Sequence, residues 1–397
     1  MPQKRVVLKN CEIIDPRDID TFVQRDGFQA LRKVVEEMSP EEVIDEIKSS
    51  GLRGRGGAGF PAGLKLDLTR RSPAEEKFII CNADEGEVGT FKDRYILEHD
   101  PFSLIEGIAI AGHAMGARKG YVYLRQEYSW LLLDGLQNAI DQAKGLVNIE
   151  IEIQVGAGAY VCGEETALLE SIEGKRGDVR YRPPFPPSEG LWRKPSAVHN
   201  VETLMNLPRI ILRGADWFSA MGTERSKGTK VFSVCGDVAN PGVYELEMGS
   251  PLRELVEELA QAQDIKMVQV GGASGRVVPY EMIDTPLSYE TVLGAGGVLV
   301  FNRSRDVVEL ARRTIEFFEE ESCGKCTPCR EGTKRMVEIL ERLEHHRGRA
   351  KDIKLMGDLS ETMMLTSLCG LGQAAPNFVV DTLEYYRADY ESRIQPV

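Results

Sequence analysis

The sequence predicts an α/β protein in three parts. Strand and helix patterns alternate through residues 1–225, closely spaced strands with one short helix occupy residues 226–305, and residues 306–397 carry only helical patterns. Alternating strands and helices are typical of a parallel sheet covered by helices. We therefore predict a Rossmann-like α/β domain, a small α+β domain and a helical C-terminal domain, divided at those positions.

The first domain begins with helices and a glycine-rich loop. Ser39, followed by Pro40 and then by Glu42 three positions after the serine, predicts a capping box with proline in the first helical position. Gly51 suits the end of that helix. The loop GLRGRGGAGFPAGLK begins at the same glycine.

Short apolar runs then predict three strands, at residues 77–81, 121–125 and 149–155. The last of them alternates strictly between apolar and charged or polar residues. Helical patterns at residues 104–116 and 127–144 separate the strands, which completes the alternation behind the α/β prediction.

The second domain follows a polar stretch, residues 219–230, which we interpret as a linker. A hairpin that turns at Asn240–Pro241–Gly242, a short helix in PLRELVEELA, and strands in KMVQVGG and GGVLVFNRS suggest a β-grasp type of module. From Asp306 onward, four helical segments complete the chain.

The composition excludes several classes of function. Of the 397 residues, 42% are hydrophobic and 28% are charged, as in ordinary globular proteins. No apolar run approaches the ~20 residues of a membrane helix, and the N-terminus lacks the apolar core of a signal peptide. We therefore expect a cytoplasmic protein without direct membrane insertion. The net charge of −13 disfavours nucleic-acid binding.

Four C-terminal cysteines indicate the chemistry most directly. Cys323, Cys326 and Cys329 form a C-x2-C-x2-C run, and Cys369 follows in SLCGLGQAAPN. Three thiolates at two-residue gaps can converge on one face of a cubane, and a remote thiolate can close the fourth corner. The spacing predicts a [4Fe–4S] cluster and therefore the transfer of single electrons.

Two other interpretations of these cysteines are weaker. A disulfide needs an oxidising compartment, and cysteines this close in sequence are badly placed to pair. A zinc site usually uses two pairs of ligands rather than a triplet and a singlet. The other cysteines are scattered, and we expect buried small side chains at Cys11, Cys81, Cys162 and Cys235.

The glycine-rich loop suggests a ligand. Gly54, Gly56 and Gly59 match G-x-G-x-x-G, but a helix precedes the loop, so the context of a dinucleotide fingerprint is missing. Closely spaced glycines still let the backbone approach a flat or phosphorylated ligand. Nearby positive charge suits a phosphate, from Arg53, Arg55 and Lys65. A flexible surface loop is the alternative.

Two acidic groups follow predicted strands. Glu164 and Glu165 open a helix, where the helix dipole stabilises carboxylates; they would repel a phosphate group and suit a ribose diol. A second polar cluster follows the first strand, where α/β sheets bind ligands. Its members are Asn82, Asp84, Glu85 and Glu87. A solvated loop is the alternative for this second cluster.

Taken in order, these motifs resemble those of the NADH-binding flavoprotein subunit of respiratory complex I. They also resemble the homologous subunits of NAD-linked hydrogenases and NAD-linked formate dehydrogenases. The resemblance extends from about residue 25 to the C-terminus. Its motifs are GLRGRGGAGFPAGLK, CNADEGEVGTFKDR, GAGAYVCGEETALLESIEG, ESCGKCTPCREG and SLCGLGQAAPN.

The resemblance implies FMN, NAD(H) and a [4Fe–4S] cluster, with hydride chemistry carried by the cofactors and no catalytic acid or base. It assigns FMN binding to Gly54, Arg55, Gly56, Gly57, Lys65, Asn82, Asp84, Gly163, Glu164, Asn200 and Thr203. It assigns NADH binding to Phe60, Glu87, Tyr160, Glu165, Arg182 and Phe185. Glu165 would face the adenosine ribose, where its charge disfavours NADPH.

The chain departs from the family pattern at several positions. Arg182 stands where lysine is usual, which keeps the charge but changes the geometry. Leu68 stands where a second adenine-side aromatic is expected, and Val88 where proline is common. His199 replaces the first residue of an Asn-Asn pair, so it either titrates or contributes one hydrogen bond.

We therefore expect a diaphorase subunit that transfers a hydride between NAD(H) and FMN and single electrons from FMN to the cluster. Its setting would be complex I, an NADH-dependent or bifurcating hydrogenase, or an NAD-linked formate dehydrogenase. The expected partners are a small [2Fe–2S] thioredoxin-like subunit and a larger iron–sulfur subunit, through which the chain could attach peripherally to a membrane. The alternative is a scaffold subunit with a degenerate flavin site that docks other redox subunits.

Overall fold

The computed structural model describes residues 3–395. The first sheet has four parallel strands, which are β1 Phe78–Ala83, β2 Lys119–Leu124, β3 Glu150–Val155 and β4 Ser196–Asn200. Their spatial order is β3–β2–β1–β4. The predicted α/β fold class is confirmed. The sequence pattern missed β4, because its five residues, SAVHN, carry no distinct alternation.

Helices precede, separate and follow these strands. They are α1 Ile19–Val23, α2 Gln29–Glu37, α3 Pro40–Ser49, α4 Ala62–Arg71, α5 Lys92–His99, α6 Pro101–Met115, α7 Ser129–Ala143, α8 Glu165–Ile172, α9 Pro186–Glu189, α10 Val201–Arg213 and α11 Ala215–Ser219. The capping box is confirmed: Glu42 N donates to Ser39 Oγ at 3.3 Å, and Ser39 N donates to the Glu42 carboxylate at 2.7 Å. Gly51 follows the helix with a φ of 70°.

The second sheet has five strands in the order β6–β5–β9–β7–β8, with only the β5–β9 pair parallel. They are β5 Thr229–Gly236, β6 Gly242–Glu247, β7 Ile265–Val270, β8 Arg276–Pro279 and β9 Gly297–Asn302. The predicted hairpin is the β5–β6 pair. The stretch 219–230 is not a loose linker, since Ser226 within it is fully buried and donates to the Glu290 carboxylate.

The C-terminal part is helical, as expected. Its helices are α12 Val307–Glu320, α13 Thr327–Glu344, α14 Asp352–Thr366, α15 Gly370–Ala374, α16 Asn377–Tyr385 and α17 Arg387–Glu391. The helical part is tied to the second sheet by Asp381 on α16, which accepts from Arg276 Nε at 2.9 Å and from Val277 N at 2.8 Å. Among residues 3–395, none of the helices combines the length and hydropathy needed to cross a bilayer.

A buried carboxylate anchors the N-terminal segment to the second sheet. Glu245 on β6 accepts the backbone N–H groups of Val6, Val7 and Leu8, each at 2.9 Å, and the hydroxyl of Thr229 at 2.6 Å. Burial raises the pKa of Glu245 to about 7, although these hydrogen bonds favour the ionised form. The first residues of the chain therefore depend on a strand that lies more than two hundred positions later.

We predict that Glu245→Ala lowers the free energy of unfolding by about 3 kcal/mol, because several buried N–H groups lose their acceptor. Chemical denaturation measures this change. Glu152→Ala on β3 is the control, since that carboxylate is half-exposed and pairs with a surface lysine; its expected cost is below about 1 kcal/mol. Equal costs for both variants would show that Glu245 is not an anchor.

Candidate functional site

The candidate site lies where β1 and β4 run side by side. The chain leaves β1 toward β2 on one side, while β4 borders β1 on the other, so the carboxyl ends of these two strands form a topological switch point. Such points are where open α/β sheets bind ligands. Asn82 and Asp84 lie at the end of β1, and Asn200 ends β4. Two members of the second polar cluster, Asn82 and Asp84, therefore lie at the carboxyl end of β1, which is the edge of the sheet where the sequence predicts ligand binding.

The glycine-rich loop packs against the end of β4. A Cβ atom at Gly56 would lie 3.0 Å from Asn200 Cβ, so the backbone approaches closely at this point. The backbone N–H of Arg55 donates to Thr203 Oγ1 at 2.8 Å. Gly57 and Gly59 have φ values of 115° and 66°, which favour glycine.

A third segment, the short 3₁₀ turn Tyr160–Gly163, closes the same region. Asn82 Nδ2 donates to the carbonyl of Gly163 at 2.8 Å. Glu164 caps α8, because its carboxylate accepts the N–H groups of Thr166 and Ala167. The structure thus brings together residues from the glycine loop, from the end of β1, from this turn and from β4.

The residues present fit a flavin. Asp84 Oδ2 is buried and has no hydrogen-bond partner in the described part of the chain, so it can accept from a ligand. Burial raises the pKa of Asp84 to about 7, while Arg125 opposes that rise. A buried acceptor beside a glycine loop suits a flat ligand that carries N–H groups.

The two arginines of the loop hold its shape. The Arg55 side chain is fully buried and donates to the carbonyl groups of Arg53 and Lys227. The Arg53 guanidinium lies 4.1 Å from the centre of the Tyr289 ring. The positive charge that the sequence places near a phosphate is therefore already engaged within the protein at these two positions.

Glu165 lies between two cations. Lys65 Nζ is 2.9 Å from Glu165 Oε2 and donates to the carbonyl of Val198 at 3.1 Å. Arg182 Nη1 lies 3.5 Å from Glu165 Oε1 and 3.6 Å from Glu164 Oε1. Lys65 thus joins α4, β4 and α8, and Arg182 places a second cation beside the same carboxylate.

Exposed apolar side chains border this region. Phe60 just before α4 is 44% exposed, Leu68 on α4 is 43% exposed, and Phe185 just before α9 is 54% exposed. Helices α4 and α9 pack against each other. The two phenylalanines assigned to the adenine are therefore both accessible on neighbouring segments.

Glu87 and Tyr160 lie at the contact between the two sheets. The Tyr160 hydroxyl donates to Glu87 Oε2 at 2.9 Å. Ser274, in the turn between β7 and β8, donates its N–H to Glu87 Oε1 at 3.0 Å and its hydroxyl to Oε2 at 2.6 Å. Burial raises the pKa of Glu87, and these donors oppose the rise. Ser274 is a residue that sequence reasoning missed.

The four C-terminal cysteines line one apolar cavity, together with Val161, Val179, Leu368 and Leu371. Cys326 directly precedes α13, Cys329 lies in the first turn of that helix, and Cys369 directly precedes α15. Burial raises the pKa of the Cys369 thiol, while the N–H groups of Gly372 and Leu371 lower it. A Cβ atom at Gly372 would lie 2.8 Å from Cys329 Cβ, so glycine allows this approach.

The cysteine geometry fits a cluster better than a single ion. Zinc requires every thiolate sulfur within about 2.3 Å of one ion. Within residues 3–395, no three histidine, cysteine or acidic side chains are close enough to hold one ion. Four thiols around one cavity are instead the donor set that ligates a polynuclear iron–sulfur group. Of the other cysteines, Cys11, Cys81 and Cys162 are buried and Cys235 is half-buried.

The flavin-type site and the cysteine cavity share one wall. Val161 lines the cavity, whereas Gly163, two residues later, accepts the hydrogen bond from Asn82. Tyr160 N donates to Glu321 Oε2 at 2.9 Å, and its ring centre lies 5.0 Å from that of Phe317 in an edge-on contact. One short turn therefore separates the two sites.

His199 is neutral in the folded chain. It is buried on β4, and its Nε2 has no partner in the described part of the chain. Burial, with a smaller contribution from the nearby Lys65 charge, lowers the pKa of His199 to about 3. Of the two roles that the sequence left open, titration near neutral pH is excluded by this environment.

A buried charge cluster beneath the site was not predicted. Glu202 on α10 lies 2.9 Å from Lys92 Nζ and 2.5 Å from Lys230 Nζ. Burial pushes the pKa of Glu202 upward, but Lys230 and Lys92 outweigh burial and hold it below its usual value. The only sequence signal was a lysine at the start of the apolar strand KVFSVC, and lysines at strand ends are usually solvated.

Fold and sites together define a redox protein in which a flavin-type α/β domain is joined to an iron–sulfur helical domain. Family models agree: the Nuo51 FMN-binding domain matches residues 47–209, the SLBB domain matches residues 231–277, and the NADH-ubiquinone oxidoreductase-F iron–sulfur binding region matches residues 309–393.

Individual proteins of known name are similar in sequence or structure to nearly the whole of this chain. The NADP-reducing hydrogenase subunit HndC of Solidesulfovibrio fructosivorans is 44% identical over 99% of this chain and 84% of its own length. The NAD-reducing hydrogenase HoxS alpha subunit of Cupriavidus necator is 43% identical over 93% of this chain and 64% of its own. A crystal structure of an air-oxidised NAD⁺-reducing [NiFe]-hydrogenase superimposes with a TM-score of 0.91 at 39% identity, covering 98% of this chain and 67% of that one.

The chain belongs to the family of FMN- and [4Fe–4S]-binding NADH oxidoreductase subunits found in complex I-type enzymes and NAD-reducing hydrogenases. The resemblance inferred from the sequence motifs is confirmed, as are FMN, NAD(H) and the [4Fe–4S] cluster as the cofactors of the family.

We predict that His199 makes the protein less stable in acid. Between its folded pKa of about 3 and an unfolded value near 6.5, only the unfolded chain binds this proton, so stability falls as the pH drops below about 6.5. At about pH 5 the loss from this group is roughly 2 kcal/mol.

Denaturation of wild type and His199→Asn at neutral pH and at about pH 5 measures this loss, and the variant should lose less stability by that amount. His345→Asn, at an exposed position, serves as the control and should behave like wild type. An acid sensitivity that His199→Asn leaves unchanged would contradict the prediction.

Proposed function

We propose that this chain is the diaphorase subunit of a larger redox enzyme, in which NAD(H) exchanges a hydride with FMN and electrons leave singly through the [4Fe–4S] cluster. The observation that carries the proposal is the shared wall: the turn Tyr160–Gly163 borders the flavin-type site at one end and the cysteine cavity at the other. Bound FMN would supply the conversion between two-electron and one-electron transfer.

The proposed FMN site combines three kinds of contribution. The glycine loop brings backbone groups close to the ligand, at Gly54, Arg55, Gly56 and Gly57. Asn82, Asp84, Gly163 and Glu164 form the opposite side, and Asn200, Thr203 and Lys65 hold β4, α10 and α4 in place around it. No residue is assigned a proton-transfer role, because bound NAD(H) and FMN would supply the hydride chemistry themselves.

The proposed NADH site lies at the outer edge of the same region. Phe60 and Phe185 present exposed rings suited to stacking on the adenine. Glu165 would accept hydrogen bonds from the ribose hydroxyls, and Arg182 beside it would orient that carboxylate. Glu87 and Tyr160 complete the site from the contact between the two sheets.

The relatives are subunits of multisubunit hydrogenases and quinone oxidoreductases, so redox partner subunits are part of this family's setting. We propose that the partners of this chain are a small [2Fe–2S] thioredoxin-like subunit and a larger iron–sulfur subunit, in a cytoplasmic complex.

We also propose domain limits at residues 1–225, 226–305 and 306–397, supported by the three family-model matches that fall within them.

Anaerobic reconstitution with FMN, iron and sulfide tests the proposal. The flavin absorbance should bleach on addition of NADH, and an artificial acceptor should then be reduced. Bound flavin that NADH cannot bleach would favour the alternative, a scaffold subunit with a degenerate flavin site, for which Arg182, Leu68 and His199 are the positions of interest.

We predict that Cys323→Ser abolishes the cluster while NADH still bleaches bound FMN, because the thiolate ligand is lost and the flavin site lies on the other side of the shared wall. Iron content and low-temperature electron paramagnetic resonance measure the first effect, and flavin absorbance measures the second. Cys235→Ser on β5, away from the cavity, is the matched control and should keep its iron. Full iron content in Cys323→Ser would contradict the ligand assignment.

We predict that Glu165→Gln raises kcat/KM for NADPH relative to NADH by roughly tenfold, because a like charge no longer faces the extra phosphate. Steady-state kinetics with both nucleotides measure the ratio. Glu170→Gln on the same helix is the control, since Glu170 pairs with Arg180 instead. An unchanged ratio would place the adenosine ribose elsewhere.

A further inference from the structure

The glycine loop of the proposed flavin site rests on the second sheet domain. We call residues 51–60 the flavin loop. Two of its carbonyl groups accept hydrogen bonds from that domain: Gly54 O from the Tyr289 hydroxyl at 2.5 Å, and Arg55 O from Lys230 Nζ at 3.0 Å. Neither donor belongs to the α/β domain that carries the rest of the site.

Lys230 is held rigidly in its place. Its side chain on β5 is fully buried, pairs with Glu202 at 2.5 Å and also donates to Ala295 O at 3.0 Å. Glu202 is fixed in turn by Lys92 and by the N–H of Val231 at 2.8 Å. A buried ammonium needs all these partners, so it cannot swing away from Arg55 without a large cost.

Tyr289 supports the same loop from a second point. Its N–H donates to Ser226 Oγ at 2.9 Å, which anchors the residue at the buried stretch between the domains. A Cβ atom at Gly59 would lie 2.5 Å from its ring, so the loop backbone packs directly on the ring. The Arg53 guanidinium also lies over this ring, 4.1 Å from its centre.

These contacts set the direction of the loop's peptide groups. In a trans peptide the C=O and the following N–H lie in one plane and point in opposite directions. Lys230 holds Arg55 O toward the second sheet, so the N–H of Gly56 points away from that sheet. Tyr289 and Thr203 fix the preceding peptide in the same way, from Gly54 O and Arg55 N.

We infer that Lys230 and Tyr289 are positioning residues of the flavin site, and that the second sheet domain orders the flavin loop for its ligand. They act through the backbone of Gly54 and Arg55 and not by touching the ligand. The inference rests on the proposed function, in which this loop binds FMN.

The first test removes one hydroxyl group. Tyr289→Phe keeps the ring that supports Gly59 and loses only the hydrogen bond to Gly54 O. FMN affinity should weaken about three- to tenfold, the effect of one hydrogen bond, while the thermal unfolding midpoint falls no further than it does in the matched control. The matched control is Tyr244→Phe in the same domain, where the lost hydroxyl donates to Asn240 O at 2.7 Å, away from the flavin loop; its FMN affinity should equal that of wild type.

Hydrogen exchange of the flavin loop gives a readout that does not need FMN. In the ligand-free protein, peptides covering residues 54–57 should exchange faster in Tyr289→Phe than in wild type, and Tyr244→Phe should match wild type. Identical exchange and identical FMN affinity in the two variants would overturn the inference. Wild-type protein that binds no FMN would overturn the proposed function instead, while exchange would still report whether the loop is anchored.

The second test separates loop positioning from general stability. Lys230→Met alone leaves Glu202 with one cation fewer in a buried site, so it should destabilise the fold. Adding Glu202→Gln removes the excess negative charge, leaves Lys92 paired with Asp93 at 2.7 Å, and should recover most of the thermal unfolding midpoint. FMN affinity of the double variant should remain at least about tenfold weaker than that of wild type, because Arg55 O still lacks its donor. If the double variant recovered its FMN affinity together with its thermal unfolding midpoint, Lys230 would contribute only to fold stability and not to the position of the flavin loop.

Discussion

The structure depends on a buried carboxylate, Glu202, that pairs with two lysines from different domains. Each ion costs several kcal/mol to remove from water, and only close pairing with hydrogen bonds offsets that cost. Lys92 comes from α5 in the first domain, and Lys230 comes from β5 in the second sheet. Loss of either lysine would leave this buried cluster with an excess negative charge, so the pairing holds the two sheets in one relative arrangement.

That joint lies directly beneath the proposed flavin site. Asp93, next to Lys92, accepts from Asn200 Nδ2 at 2.6 Å, so the charge cluster extends to the end of β4. Lys230 reaches the glycine loop from below. The loop is therefore shaped by a network of charges and carbonyl groups, and the nominally separate second domain becomes part of the site. Buried networks of this kind specify one arrangement only when every member is satisfied.

The helical domain is fixed to the other two by different means. Arg276 and Asp381 join it to the second sheet, Lys325 Nζ donates to Val179 O at 2.6 Å, and Arg176 donates to Cys323 O at 3.0 Å. These contacts hold the cysteine cavity against the turn that also borders the flavin site. The proposed flavin site and the cysteine cavity are therefore held on opposite sides of one short turn, Tyr160–Gly163.

The sequence by itself determined the local features of this protein. The cysteine spacing, the capping box at Ser39 and the alternation of strands and helices are local patterns, because thiolate ligation, helix capping and side-chain periodicity act over a few residues. The contacts between segments that are distant in the sequence were decided only by the tertiary structure. Lys230 looks like an ordinary strand-end lysine, residues 219–230 look like a linker, and His199 looks titratable. Burial against other segments makes Lys230 an anchor of the flavin loop, packs residues 219–230 between the two sheets and keeps His199 neutral. Burial raises the free-energy cost of a charge, and a local sequence pattern does not show which residues will be buried.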